Sequence, residues 1–133
     1  MNSEVLKNHW DQLKNEITTW WDDLTKEDLE KINGEIEKLE EVVQEKMNTS
    51  SEQAKKEVEK FFQTQQVFKG EWNQLKGSAQ HLWGKLTGSD LDQVEGTLTN
   101  LFGKLQEKYG KTAEEAKNEI IDWIDNTNSN KSE

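Results

Sequence analysis

The chain contains no cysteine, no proline and no arginine. Without cysteine there is no disulfide framework, no thiolate nucleophile and no cysteine-based metal or redox centre. Without proline, nothing interrupts a helix from within. Every basic residue is lysine: 17 of them stand against 27 acidic residues, for a net charge of -10. That balance argues against nucleic acid, whose recognition needs a positive footprint, and against anionic membrane surfaces. No run approaches the ~20 apolar residues of a membrane span. The N-terminal MNSEVLKNHW lacks the apolar centre of a signal peptide. These absences predict an acidic protein of the cytoplasm.

Apolar residues are also scarce, at 31% of the chain, where nearly half is usual. Those present are bulky: six tryptophans, four phenylalanines and Tyr109. Each ring is worth ~1.5–3 kcal/mol when buried, enough to hold a small helical core together.

A pattern runs through the chain twice, displaced by a constant 62 positions. Trp10 answers Trp72, Leu13 answers Leu75, and Trp21 answers Trp83. Leu24-Thr25 answers Leu86-Thr87, and Asp28-Leu29 answers Asp90-Leu91. Gly34 answers Gly96, and Gln44-Glu45-Lys46 answers Gln106-Glu107-Lys108. Roughly a third of aligned positions are identical, without a gap. Self-similarity at fixed spacing means one structural unit built twice. The reading is a first, diverged copy over 4–65, a second copy over 66–125, and a polar, disordered tail over 126–133. The first copy is the more acidic, with a balance of -7 over residues 4–65 against -3 over 66–127. A unit of about 60 residues buries only some 60% of its unfolded surface, so each copy is marginal alone.

Local signals give three helices per copy and no strands, an all-α fold of six helices in two small, irregular or orthogonal bundles. Leu6, Trp10, Leu13, Ile17, Trp20, Trp21 and Leu24 recur at helical spacing. Thr25 with Asp28 makes a capping box, and Leu24 with Leu29 a hydrophobic staple; Thr87, Asp90, Leu86 and Leu91 repeat the device. Asn48 and Gly110 suit a left-handed helix end. Ser50 with Gln53, and Thr112 with Glu115, open the third helices. Ala54, Val58, Phe61 and Phe62 make one inner face, matched by Ala116, Ile120, Trp123 and Ile124. Residues 63–69 contain no breaker, so helix can continue from the first copy into the second.

Gly70, Gly77 and Gly84 are seven apart, as are Gly96, Gly103 and Gly110. One reading is a smooth face for a partner helix; the other is helix weakening at ~1 kcal/mol per interior glycine. The first copy carries Asn8, Asn15, Asp22, Glu41 and Asn48 at five of these positions, which favours wet faces. Gly34 and Gly96 recur in both copies and predict a tight crossing or a bend.

Trp72, Leu75-Lys76-Gly77, Trp83-Gly84-Lys85-Leu86-Thr87, Asp90-Leu91, Glu95-Gly96, Gly103-Lys104, Gln106-Glu107, Tyr109-Gly110, Ala116, Glu119 and Trp123 run in order through nearly the whole second copy. On these residues the second copy resembles the CsbD-like family of small bacterial stress-response proteins. The first copy keeps a subset of these marks, so the whole is similar to two tandem units. The resemblance implies a small helical domain expressed under general and osmotic stress, with no catalytic activity, cofactor or ligand.

Nothing in the residues argues for a catalytic, cofactor or metal site. His9 and His81 do not correspond, and read as surface histidines. Carboxylates lie at helical spacings among lysines, as solvated faces do. Gly84-Lys85 follows no strand, so it is no phosphate loop. The expected function is non-catalytic protection of the hydrophilin kind, with mean hydropathy of -1.08. The alternative is a helical interaction module binding a protein partner or itself, for which Trp20 and Phe68 are the candidate contact surface. An enzyme or nucleic-acid binder stands third.

Overall fold

The computed structural model describes the backbone of residues 2–95 and 97–132, with side chains as far as Asn126. Nine helices lie among the described residues: α1 (Asn2–Asn8), α2 (Trp10–Trp20), α3 (Lys26–Ile32), α4 (Ile36–Met47), α5 (Ser51–Gly70), α6 (Trp72–Leu82), α7 (Gly88–Val94), α8 (Leu98–Tyr109) and α9 (Ala113–Ser132). The described residues include no strand. The chain divides into two compact units, residues 1–63 and 64–133, and the division falls within α5. Four helix pairs begin and end at residues 62 apart: α2 with α6, α3 with α7, α4 with α8 and α5 with α9. The counterpart of α1 is the closing stretch of α5, residues 64–70.

The all-α expectation therefore holds, and the count of six helices does not. Two of the three expected helices of each copy are broken once, and the third helix of the first copy runs on into the second as α5. The first breaks at His9, whose φ of -119° and ψ of 26° leave the helical region. Its carbonyl then accepts from both Gln12 and Leu13, restarting the ladder as α2. Glu71 makes the same break in the second unit, at φ -117° and ψ 17°. The second expected helix breaks where Asn33 turns left-handed at φ 43° and Gly34 follows at φ 80°. Gly34 is both a bend and a close approach: a Cβ built on it stands 3.4 Å from Trp10 Cβ and 3.5 Å from Lys7 Cα. Gly96, which carried the same expectation, lies outside the described residues.

The other local devices fold as their chemistry requires. Asp28 N–H donates to Thr25 Oγ1 at 3.1 Å, and Thr25 N–H donates back to Asp28 Oδ2 at 2.9 Å. Thr87 and Asp90 repeat both bonds at 3.0 and 2.9 Å. Ser50 accepts from the Gln53 N–H and Thr112 from that of Glu115, each at 3.1 Å. Asn48 and Gly110 close α4 and α8 in the left-handed region, at φ 52° and 64°. The last helix runs to Ser132, past the Asp125 at which the sequence reading ended it.

Within the first unit, Leu6, Ile17, Ile32, Leu39, Val43, Val58 and Phe61 are buried. The second unit buries Leu75, Trp83, Leu86, Val94, Leu98, Leu101, Leu105 and Ile120. Leu82, the last residue of α6, is 51% exposed, whereas the next residue, Trp83, is buried.

Gly77 and Gly103 lie inside α6 and α8, yet a Cβ on either meets nothing within 4 Å. Close packing within the chain therefore requires neither. Gly77→Ala and Gly103→Ala are expected to stabilise the second unit by ~1 kcal/mol each, measured by urea unfolding. A loss of stability in either would show that the glycine is needed by the fold.

Candidate functional site

Several of the residues that carry the sequence resemblance meet at the corner between α6 and α7. Trp83 ends α6 and turns into the core, edge-on to Trp123 with ring centroids 5.0 Å apart. Its indole N–H donates to Glu119 Oε1 at 3.2 Å, and Lys111 pairs with the other oxygen of that carboxylate. This contact is the first cause of the raised Lys111 pKa. Trp123 in turn donates from Nε1 to Ser78 Oγ at 2.9 Å. Beyond Trp83, the Lys85 backbone N–H donates to the Tyr109 hydroxyl at 2.9 Å, and the Lys85 ammonium lies 5.1 Å from the Tyr109 ring centroid. Leu86 and Leu91 are both buried as the staple pair.

Asp90 is the polar centre of this corner. It closes the capping box on Thr87, and it also receives Lys104 at 3.3 Å and Lys108 at 3.7 Å from α8. Its side chain is 10% exposed. The Thr87 backbone N–H, aided by the two lysines, holds its carboxyl at about 2, against an ordinary 3.8. The first unit repeats a reduced form: Lys46 reaches Asp28 at 3.2 Å and the Asp28 pKa is likewise lowered, first by the Thr25 backbone N–H. An aspartate at N3 thus does two things at once: it caps its own short helix and ties that helix to the last turn of the next one. The lysine of the repeated Gln-Glu-Lys triplet is the partner, a role the sequence reading did not assign.

The folded Asp90 carboxyl binds its proton less readily than the unfolded chain does. Its contribution to stability is therefore present above pH ~4 and is lost as the pH falls through about 2. The urea midpoint of the second unit is expected to drop over that interval. Asp90→Asn should lower the midpoint at pH 7 and flatten the acid limb; a variant with the wild-type acid profile would count against the tie.

Trp20 and Phe68, the candidate contact surface, are not presented to solvent. Trp20 is 3% exposed with Phe61 against its ring at 5.6 Å, and Phe68 is fully buried between Trp72 and Trp123. Among the described residues, the most exposed large apolar side chains are Met47 and Leu82. Shallow clefts lie beside the helix breaks, one lined by Lys7, His9, Trp10 and Asn33, another by Lys69, Trp72, Lys76, Asp92 and Glu95. In the latter, Lys76 and Asp92 pair with each other at 3.0 Å on the rim. Among the described residues there is no group of three side chains able to hold a metal ion, and no helix is long and apolar enough to cross a membrane.

The model of the CsbD-like family matches residues 66–118, which take in α6, α7, α8 and the opening of α9. UPF0337 protein YjbJ of Escherichia coli K12 is 44% identical over 54 residues, 41% of this chain and 78% of the relative. The chain belongs to the CsbD-like family. Another UPF0337 protein, from Bordetella pertussis, is 42% identical over 59 residues, 44% of this chain and 89% of the relative. No solved structure matches. The corner described above accounts physically for part of the CsbD-like pattern: Lys85 pairs with Tyr109, Asp90 with Thr87 and Lys104, and Trp83 with Glu119 and Trp123. The matched span ends at Asn118, so Glu119 and Trp123, which complete the environment of Trp83, lie just past it.

Proposed function

We propose that this chain is a non-catalytic stress protein of the cytoplasm, built from two tandem CsbD-like units, and that it protects other proteins in the manner of hydrophilins when water is scarce. One observation carries the reading. The side chains that mark the family cap, stack and pair inside the second unit, while the surface carries most of a net charge of -10. A densely charged, strongly hydrated surface keeps a protein apart from its neighbours as concentrations rise. The matching helix bounds 62 residues apart support the tandem arrangement.

The test is a drying assay. An unrelated enzyme is desiccated with a modest molar excess of this protein and with an equal mass of serum albumin. More enzyme activity should survive rehydration with this protein than with albumin. No advantage over albumin would overturn the protective reading.

A further inference from the structure

We propose that Asn33-Gly34 is a latent deamidation site: the folded turn between α3 and α4 keeps it inert, and opening of that turn releases it. The inference stands on the geometry of the turn and does not depend on the protective reading.

The chain has one Asn-Gly dipeptide. In such a pair the glycine nitrogen can attack the asparagine side-chain carbonyl, because the glycine has no Cβ to crowd the approach. The new bond joins Gly34 N to Asn33 Cγ and closes a five-membered succinimide. The Gly34 amide proton passes to solvent, the Cγ–Nδ2 bond breaks, and the nitrogen leaves with the electron pair as ammonia. Water then opens the ring at either carbonyl. One product is aspartate; the other is isoaspartate, in which the main chain runs through the former side chain.

The structure supplies both the access and the lock. Asn33 is exposed, so water reaches its amide. With φ 43° and ψ 44° at Asn33 and φ 80° at Gly34, the pair forms a tight turn of the kind that Asn-Gly favours. At that ψ the Gly34 nitrogen and the Asn33 Cβ lie on opposite sides of the Cα–C bond, which keeps Cγ out of reach of the nitrogen. Rotating ψ to bring them together breaks the turn, whose Glu35 N–H donates to the Ile32 carbonyl at 2.9 Å. The rotation also unseats Gly34, which is buried close to Trp10 and the Lys7 backbone. The second unit repeats the turn: the Thr97 N–H donates to the Val94 carbonyl at 2.9 Å, and Glu95 stands at φ 49°. Glutamate has no amide to lose, so this chemistry has no counterpart there. Glu95 also shows that a carboxylate fits this place, so aspartate lets the turn reclose. Isoaspartate adds one carbon to the main chain, and the turn does not re-form with Gly34 against Trp10. An opening that reacts in this way leaves a permanent mark.

The experiment incubates the full chain in mildly alkaline buffer, folded or in denaturing guanidinium chloride. Mass spectrometry follows the tryptic peptide of residues 32–38, and isoaspartyl methyltransferase labelling scores the isoaspartate. In denaturant Asn33 should convert faster than any other asparagine. In the folded chain its conversion should be slower by about tenfold or more, because local opening gates it. Asn33→Glu should abolish labelling of that peptide in denaturant. Isolated isoaspartyl protein should unfold at lower urea than Asn33→Asp, which should stay near wild type. Equal rates in the folded and denatured chain, or no conversion at Asn33 in denaturant, overturns the proposal. So does an isoaspartyl protein as stable as Asn33→Asp.

Discussion

Trp83→Ala is expected to unfold the second unit at room temperature. The ring is 2% exposed, stands edge-on to Trp123, and holds the Glu119 carboxylate that Lys111 also grips. Removing a buried Trp or Phe costs ~3–5 kcal/mol, through lost transfer energy and the cavity left behind. A unit of this size has a total stability of roughly 3–10 kcal/mol at the usual 0.05–0.15 kcal/mol per residue. The substitution therefore consumes most or all of it. Glu119 would also be left without its indole donor, which adds to the loss. Trp83→Phe separates the two contributions: a ring remains to pack on Trp123 while the donor is gone, so the loss should fall to about 1–2 kcal/mol. Circular dichroism with urea titration measures both. Helix content near wild type in Trp83→Ala would mean that the corner is not organised on this ring.

Helix starts were legible in the sequence because their chemistry is local: a Thr or Ser hydroxyl, a carboxylate or amide three residues on, and a staple leucine on either side. The 62-residue displacement was legible for the same reason, and the helix bounds repeat it. The break at His9 was not legible, for the residue is neither glycine nor proline. The break at Glu71 follows Gly70, a residue type that weakens helix. The tie from Lys108 to Asp90 was equally hidden, since its partners lie on successive helices and meet only after the turn between α7 and α8 has formed. Both aspartate and lysine stood in repeated motifs, so recurrence marked them while their pairing needed three dimensions. Trp20 beside Trp21 widens the helical stripe, and the sequence does not say what meets the wider face; Phe61 lies against both rings, at 5.6 and 5.3 Å.

Gly34→Val should be among the most damaging single changes in the first unit, and comparison with Gly110 shows why. Both glycines sit in the left-handed region, at φ 80° and 64°. A side chain there costs roughly 1–2 kcal/mol for alanine and more for a β-branched residue. Their surroundings differ. A Cβ on Gly110 meets nothing within 4 Å, whereas one on Gly34 is already in contact with Trp10 and the Lys7 backbone. Alanine therefore fits both sites at a similar cost of about 1–2 kcal/mol. Valine at Gly110 adds only further backbone strain, about 2–3 kcal/mol in all. Valine at Gly34 must also push apart α4 and the break between α1 and α2, adding roughly 1–3 kcal/mol of overpacking for a total of about 3–5. The first unit already uses Asn48 at the position of Gly110, with φ 52°, so Gly110→Asn should be nearly neutral. Urea unfolding of the five proteins checks the ordering. Gly34→Val no worse than Gly110→Val would mean that the close approach to Trp10 does not constrain the unit. The glycine would then serve the bend alone.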